Sequence, residues 1–382
     1  MSRLDNNQPR RPTWAEIDLD NLASNFKKVR ERVSPAARVM AIVKANAYGH
    51  GAVECVRRLA KEGADWFGVA LPEEGVELRA AGISQPVLCL GGYWPGQAAL
   101  CVQQRLTPVV YRVDMIEALN RAAANAGVVA DVHVKVDTGM GRLGVRFDQL
   151  SEFIVALAPF RNVRIDGLMS HLAAADDASC QPLTRDQIQR FDDAVALFRD
   201  HGYRPTHLHL ANSAGVFGHR ESWGNMVRPG GVLYGLWRDV LPPSVSHDEL
   251  LPVMSLHSRI SLLKWVPPGD TIGYGCTFEA SRKSLIATLP IGYHDGYMRG
   301  LSNRAHVIVR GMYAPVVGRV SMDLTLIDVT SVPGVEIDDQ VMLLGSQTPE
   351  LKVTAEDLAR IVGTLSYEVT CGVSERVPRV YT

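Results

Sequence analysis

Between Val39 and Leu236, short apolar runs alternate with amphipathic stretches. The runs are Val39–Val43, Trp66–Ala70, Val87–Leu90, Pro108–Tyr111, Val132–Val136, Ile165–Met169, His207–Leu210 and Gly231–Leu236. Runs apolar at successive positions are the pattern of strands covered on both faces, as in a parallel sheet. Between them Ala52–Lys61, Glu73–Ala81, Met115–Ala126 and Asp186–His201 carry helical patterns. Pro72 suits a first helical position, Gly82, Gly127 and Gly202 suit C-terminal caps, and Thr184 with Gln187 matches a capping box. Eight strand–helix units over about 200 residues fit a (β/α)8 barrel of the TIM type, which commonly takes ~250. A doubly wound open sheet would want Gly-x-Gly-x-x-Gly after its first strand, and that motif is missing here.

After about Ser246 the texture changes. Ser284–Leu289, His306–Val309, Ala314–Val320, Leu324–Val329 and Gln340–Leu344 follow one another closely, separated by Gly and Pro and rich in β-branched residues. That predicts a mainly β domain with one late helix near Thr354–Ile361. The expected division is therefore 1–246 for the barrel and 247–382 for the β domain. The alternating segment Thr13–Leu19 has no slot in the barrel and is expected to pair with the distal sheet.

Composition narrows the function. The 382 residues carry 40 Lys and Arg against 41 Asp and Glu, a net charge of −1. A nucleic-acid or membrane-surface protein needs an excess of cations, so neither partner is expected. No apolar run approaches the ~18 residues that span a bilayer, and MSRLDNNQPRRPTW lacks the apolar centre of a secretory signal. The expectation is a cytoplasmic protein. Six cysteines (Cys55, Cys89, Cys101, Cys180, Cys276, Cys371) lie far apart with no Cys-x-x-Cys, so they are expected to be free thiols, mostly core residues, with no metal site.

Reactive groups of barrels gather at the C-terminal ends of the strands. Lys44 directly follows the first run, where apolar surroundings would lower its pKa and supply the neutral amine that imine chemistry needs. The stretch around it, AIVKANAYGHG (Ala41–Gly51), begins a series: KVDTGMGRLG at Lys135, SHLA at Ser170, ANSAG at Ala211, VRPGGVLYG at Val227 and GYGCTF at Gly273. IGYHDGYMR at Ile291, GRVSMD at Gly318, SYEV at Ser366 and RVPR at Arg376 complete it. In this order and over nearly the whole chain, the series resembles the alanine racemases, pyridoxal-phosphate enzymes with a barrel plus a β domain.

The resemblance implies a set of roles. Lys44 would carry pyridoxal 5′-phosphate as an internal aldimine. Ser213, Gly230 and Gly231, with hydroxyls from Tyr48 and Tyr367, would hold the phosphate, where barrels commonly bind it. Arg228 would face the pyridine nitrogen; being permanently charged, it would leave that nitrogen unprotonated and weaken the ring as an electron sink. Inverting a stereocentre takes one acid–base group on each face of a planar carbanion. Lys44 would serve one face and Tyr274, from a second subunit, the other. A tyrosine of ordinary pKa ~10 needs cationic neighbours or hydrogen bonds to act as a base, and His171 could polarise it or stack near the ring.

Arg142 and the Met322 backbone N–H would bind the substrate carboxylate, Arg142 also reaching the cofactor phenolate. Lys135, alternating with Val134 and Val136, points into the barrel beside Arg142, where an ammonium is costly. In similar enzymes this lysine is carbamylated, which turns a cation into an anion. Asp176, Tyr293, Tyr367, Arg299 and Arg319 match an entrance corridor for a small amino acid, and Ser321 stands where many relatives have Cys. The implied protein is a homodimer with shared active sites, interconverting L- and D-alanine for peptidoglycan. The alternatives are a racemase of broader or serine specificity, a barrel-type decarboxylase using the same cofactor, and a non-catalytic carrier on a lone barrel. A decarboxylase would want a carboxylate in place of Arg228, and a lone barrel would end near residue 240.

Overall fold

The computed structural model describes residues 11–242, 245 and 250–382. The chain divides into two compact units: the segment through Asp18 together with Pro252–Thr382, and Leu19–Leu251. The boundary expected at 246 falls outside the described residues.

In Leu19–Leu251 eight parallel strands of the described residues follow the order Met226–Val227, Arg38–Ile42, Trp66–Val69, Val87–Cys89, Thr107–Val110, Ala130–Asp137, Val163–Met169, His207–His209, and a short ninth, Val145–Arg146, pairs parallel with Ala130–Asp137 off that path. All of Trp66–Val69, Val87–Cys89 and Thr107–Val110 is buried, which is why those runs show no polar alternation. The sheet curls into a nearly closed barrel. Strand ladders link every neighbouring pair except the outermost two, where Asn225 N donates to Leu208 O at 3.0 Å and Arg228 N to Ala211 O at 3.0 Å. The helix Leu19–Arg32, which the apolar pattern did not single out, buries Leu22, Ala23, Asn25, Phe26 and Val29 along one face.

Two local expectations are corrected. Gly231–Leu236 is no strand: Gly231–Tyr234 is a buried 3-10 helix, and the eighth strand is Met226–Val227 before it. Tertiary contacts hold that helix, because Tyr234 donates its hydroxyl to Ile42 O at 2.9 Å and Asn25 donates to Leu233 O at 3.0 Å. A short run buried all round reads the same as strand or helix, so periodicity had nothing to separate them. Thr184 and Gln187 form no capping box. The helix Gln181–Asp200 starts a turn earlier, with Pro182 in its first turn, and the Gln187 side chain accepts from Ala173 N at 2.9 Å and donates to His171 O at 3.0 Å. By contrast Pro72 opens the helix Pro72–Ala80, and Gly82, Gly127 and Gly202 all take positive φ just beyond helix ends.

In the other unit the main sheet runs Met312–Pro315, His306–Val309, Gln340–Ser346, Met254–Arg259, Thr13–Ile17, Arg379–Tyr381. Thr13–Ile17 lies antiparallel to Met254–Arg259, with Ile17 opposite Met254, and parallel to Arg379–Tyr381. It ends two residues short of Leu19, because Leu19 already opens the next helix. A second sheet joins Leu262–Val266, Ser284–Leu289 and Thr325–Asp328. The expected strand Ala314–Val320 is shorter: Met312–Pro315 pairs, Val316 makes one bridge to Ile327, and the chain then turns at Gly318, φ +70°. The helix Ala355–Val362 is capped by Thr354, whose Oγ1 accepts from Asp357 N at 3.1 Å. Among the described residues no helix is long and apolar enough to cross a membrane. Cys55, Cys89 and Cys101 are buried, whereas Cys180, Cys276 and Cys371 are not, and no disulfide joins any of the six.

The barrel interior carries an imidazole cluster. The His133 ring lies against Gly167, where a Cβ would come within 2.6 Å of it, and stacks on His207 with centroids 5.5 Å apart. Neither the fifth nor the sixth strand can yield there without shifting the ladder. Gly167→Ala should therefore cost about 1–3 kcal/mol by overpacking, read as a lower urea midpoint at unchanged slope; an unchanged midpoint would show that the His133 ring has room to move.

Candidate active site at the C-terminal mouth of the barrel

Lys44 comes one residue after the first strand, Arg38–Ile42, and the backbone after it is exceptional. Ala45, Asn46, Ala47 and Tyr48 all have φ between 52° and 54°, one left-handed turn of four non-glycine residues. L-residues enter this region singly, at roughly 1–2 kcal/mol each. Hydrogen bonds within the turn hold it, including Ala47 N to Val43 O at 2.8 Å and Gly49 N to Ala45 O at 2.9 Å. Asn46 Oδ1 accepts from Ala52 N at 2.7 Å. The turn ends at Gly49 and Gly51, with φ of 87° and 96°.

The fifth strand brings Lys135 to the same mouth, 5% exposed. Beyond it the Asp137 carboxylate gathers the N–H groups of Gly139, Met140 and Gly141 at 3.0, 3.0 and 3.1 Å. The loop then returns at Gly144, where a Cβ would meet Asp137 N at 2.6 Å. This tight loop carries Arg142. Burial, then Arg142, Arg228 and Lys44, pull the Lys135 ammonium down to about 8. So Lys44, Lys135, Arg142 and Arg228 act on one another here, a cationic cluster in which Asp137 is the carboxylate that opposes them.

Arg228 is 3% exposed. Its NH1 donates to His209 O at 2.7 Å and His209 Nδ1 at 2.8 Å. Its NH2 donates to Ser170 O at 2.5 Å, Leu210 O at 3.0 Å and His171 Nδ1 at 3.3 Å. Guanidinium has five N–H groups; the four terminal ones are used, and Nε–H has no partner among the described residues. Burial lowers the group to about 9, so it stays charged at neutral pH.

Because arginine only donates, His209 Nδ1 must accept, and its proton sits on Nε2. That proton goes to His133 Nδ1 at 2.8 Å. Burial, followed by the Arg228 charge, holds His209 and His171 well below the ordinary imidazole value. His133 is depressed in the same way, by burial, then His207 and Arg228. Gln187 fixes the chain at His171 through the contacts given above. Sequence patterns did not single out His133, His209 or Asp137, and gave Gln187 only as part of a capping box; the alternation VHVKVD and HLH was the visible signal that two imidazoles point inward.

Ser213 and Gly231 open the short helices Ser213–Gly218 and Gly231–Tyr234, whose first N–H groups have no acceptor within the helix. Ser213 Oγ accepts from Gly230 N at 2.9 Å, joining the two starts. A Cβ on Gly230 would lie 2.6 Å from Tyr48 Oη, so the glycine leaves the hydroxyl its place. Asp176, on the exposed loop after the sixth strand, completes the expected residues of this unit.

The other unit carries Tyr274, Tyr293, Arg299, Arg319, Met322 and Tyr367. Tyr274 is 73% exposed, and Arg319 Cζ lies 3.1 Å from where a Gly275 Cβ would stand. Tyr293 and Met322 are brought together: Tyr293 N donates to Ser321 O at 2.9 Å and His294 N to Met322 O at 3.1 Å. Asp295, fully buried, holds that loop through Arg11 at 2.7 Å, Arg376 at 3.3 Å and Gly292 N at 2.9 Å. Arg299 opens a short 3-10 turn and Tyr367 lies in the helix Ser366–Gly372.

A (β/α)8 barrel with a lysine at the end of its first strand, helix starts after its last two and a cationic mouth defines a class, the barrel enzymes that bind a phosphorylated or carboxylated ligand. Family models narrow it: "Alanine racemase, N-terminal domain" matches residues 17–237 and "Alanine racemase, C-terminal domain" residues 253–381. The chain is 44% identical to alanine racemases of Geobacter sulfurreducens and Symbiobacterium thermophilum, over 97% of each chain. It is also similar to the crystal structure of alanine racemase from Streptomyces lavendulae, with TM-score 0.90, 34% identity and 98% of each chain covered. The biosynthetic enzyme of Pseudomonas aeruginosa gives 0.84 and 35%, covering 97% of this chain and 99% of that one. The chain belongs to the alanine racemase family, whose members depend on pyridoxal 5′-phosphate.

The residues at the mouth fit that group. The cationic cluster suits its anionic substituents, the hydroxyl and helix starts suit a phosphate, and the Arg228 Nε–H suits an unprotonated ring nitrogen. The neutral imidazoles carry a stability consequence. Below about pH 6.5 an unfolded chain binds protons that His133, His171 and His209 refuse in place, so stability is full above that pH and falls as it drops, by up to about 1.4 kcal/mol per pH unit for each. Urea unfolding at about pH 7.5 and about pH 5.5 measures this slope; equal stability at both would mean that these rings take up protons while folded.

Proposed function

We propose that this chain is a cytoplasmic alanine racemase acting as a homodimer with shared active sites, and that it supplies D-alanine for peptidoglycan. The observation that carries the reading is Arg228: a charged, buried guanidinium whose only spare donor is Nε–H. An ion that cannot release a proton to the ring nitrogen limits delocalisation into the ring, which suits a brief Cα proton exchange and speaks against a decarboxylase. Pyridoxal phosphate, when bound, withdraws electron density from the substrate Cα and acidifies its proton.

The chain's own residues do the rest. Ser213, Gly230, Gly231, Tyr48 and Tyr367 hold the phosphate. Arg142 and the Met322 N–H hold the substrate carboxylate, which fixes Cα between two acid–base groups. Lys44 Nζ removes or returns the proton on one face. Tyr274 Oη of a second copy does so on the other, assisted by His171 and by the charge of Arg319. Lys135, drawn towards its neutral form, is the amine form that takes up carbon dioxide, and the resulting carbamate orients Arg142. Asp176, Tyr293, Arg299 and Arg319 narrow the entrance, which favours alanine over larger amino acids.

Assay of D-alanine formed from L-alanine tests the reading. Lys44→Ala should lose at least about 10³-fold in rate, in the range of a positioned acid–base group. Tyr274→Phe should slow proton removal from L-alanine far more than from D-alanine. Faster turnover of serine or lysine would move the substrate assignment, and carbon dioxide release would replace the reaction. Sedimentation showing only monomers in the active enzyme would remove the shared site. For Lys135, gentle mass spectrometry should find one added carbon dioxide; an unmodified peptide in active enzyme would leave Arg142 without that partner.

A further inference from the structure

We propose that Glu74 is a positioning residue for Lys44, locking the left-handed turn that carries it; this rests on the reading of Lys44 as the cofactor-bearing acid–base group. Four consecutive non-glycine residues at φ 52–54° persist only where the surroundings over-determine them. Most of the bonds that close the turn are internal to the segment from Val43 to Ala52 and would travel with it. Among the bonds that reach out of it, two flank Lys44, one on each side. On one side Val43 N donates to Gly68 O at 2.8 Å, within the second barrel strand. On the other, Ala45 N donates to Glu74 Oε1 at 2.6 Å.

The same carboxylate accepts through Oε2 from Ala70 N at 2.6 Å and Leu71 N at 3.1 Å, just past the end of that strand. Glu74 therefore fastens the first residue of the left-handed turn to the exit of the neighbouring strand. Lys44 is held between two anchors on one rigid element. The chemistry is specific to a carboxylate, since both oxygens must accept. Glutamine would turn an NH2 towards one of the two sets of donors. Aspartate, one methylene shorter, cannot span them. The glutamate follows Pro72 at the start of the helix Pro72–Ala80, where sequence alone would read it as an ordinary helix-start acid.

The test uses Glu74→Gln and Glu74→Ala as holoenzymes. We expect kcat for alanine to fall about 10- to 100-fold, the scale of an ångström-level misplacement, with KM changed by less than about threefold. Amide hydrogen exchange of the peptide 43–52 should rise about tenfold or more, because the turn loses its outer anchor. Two double variants separate positioning from helix capping. Leu71→Asp with Glu74→Ala restores an N-cap but leaves Ala45 N without its carboxylate, and should recover melting temperature without kcat. Ala45→Gly with Glu74→Gln removes the cost of positive φ and should recover part of kcat.

Wild-type kcat and exchange in both single variants would overturn the proposal, as would recovery of kcat by Leu71→Asp. Borohydride reduction of wild type with pyridoxal phosphate keeps the two readings apart. Label on a lysine other than Lys44 defeats the reading of Lys44 itself, whereas label on Lys44 with unaffected Glu74 variants defeats only this inference.

Discussion

Arg228 takes a full positive charge into the barrel, and among the described residues its partners are carbonyls and imidazoles, none a carboxylate. Desolvating a guanidinium is tolerable only when nearly every donor is satisfied with good geometry. Much of the mouth follows from that. The sixth and seventh strands end there, so the carbonyls of Ser170 and Leu210 turn to Arg228, while His209 O accepts from it as well as from Ser170 N. His209 must present a lone pair, which fixes its tautomer and, through it, that of His133. A proton added to His209 would set two donors against each other, so the interior stays neutral around one fixed charge.

The same economy of carboxylates makes the mouth receptive. With Lys44, Lys135 and Arg142 gathered near Arg228, Asp137 opposes four cations, and an anionic ligand supplies further counter-charge. Lys135 yields because it is buried among the other three and, unlike Arg142 and Arg228, is an amine that readily loses its proton. The cluster's geometry is rigid for reasons of backbone. Asp137 pins the loop that carries Arg142, Gln187 pins the chain at His171, and Glu74 pins the turn behind Lys44. Each of these polar side chains bonds main-chain N–H or C=O groups where a strand has just run out of ladder partners.

Much of this was legible in the sequence for one physical reason. Burial on both faces writes continuous apolar runs, and a parallel strand ends where its ladder does, so Lys44 and Ser213 could be put just past strand ends, and Lys135 on the inward face of its strand, from pattern alone. What misled was equally physical. The run Gly231–Leu236 is apolar because it is buried, yet Tyr234 and Asn25 bind it as a 3-10 helix, and its strand neighbour is only Met226–Val227. Thr184 and Gln187 have the spacing of a capping box, but Gln187 is drawn away by Ala173 and His171, and the helix begins at Gln181. For His133 and His209 the pattern showed only that they point inward, and Glu74 read as a helix-start acid; the partners that give them their roles, His209, Arg228 and Ala45, lie far off in the chain.

By itself, then, the sequence determined the alternation of buried strands and amphipathic helices, the change to a β-rich texture, and which charged residues stand at strand ends. Those depend on hydrophobic period and local turn chemistry, which act over a few residues. Tertiary structure alone decided which imidazole nitrogen bears its proton, which arginine donor is left over, and that Ala45–Tyr48 wind left-handed. Such outcomes turn on groups brought together from distant strands, where an acceptor's position to within a fraction of an ångström settles the matter and no neighbouring residue announces it.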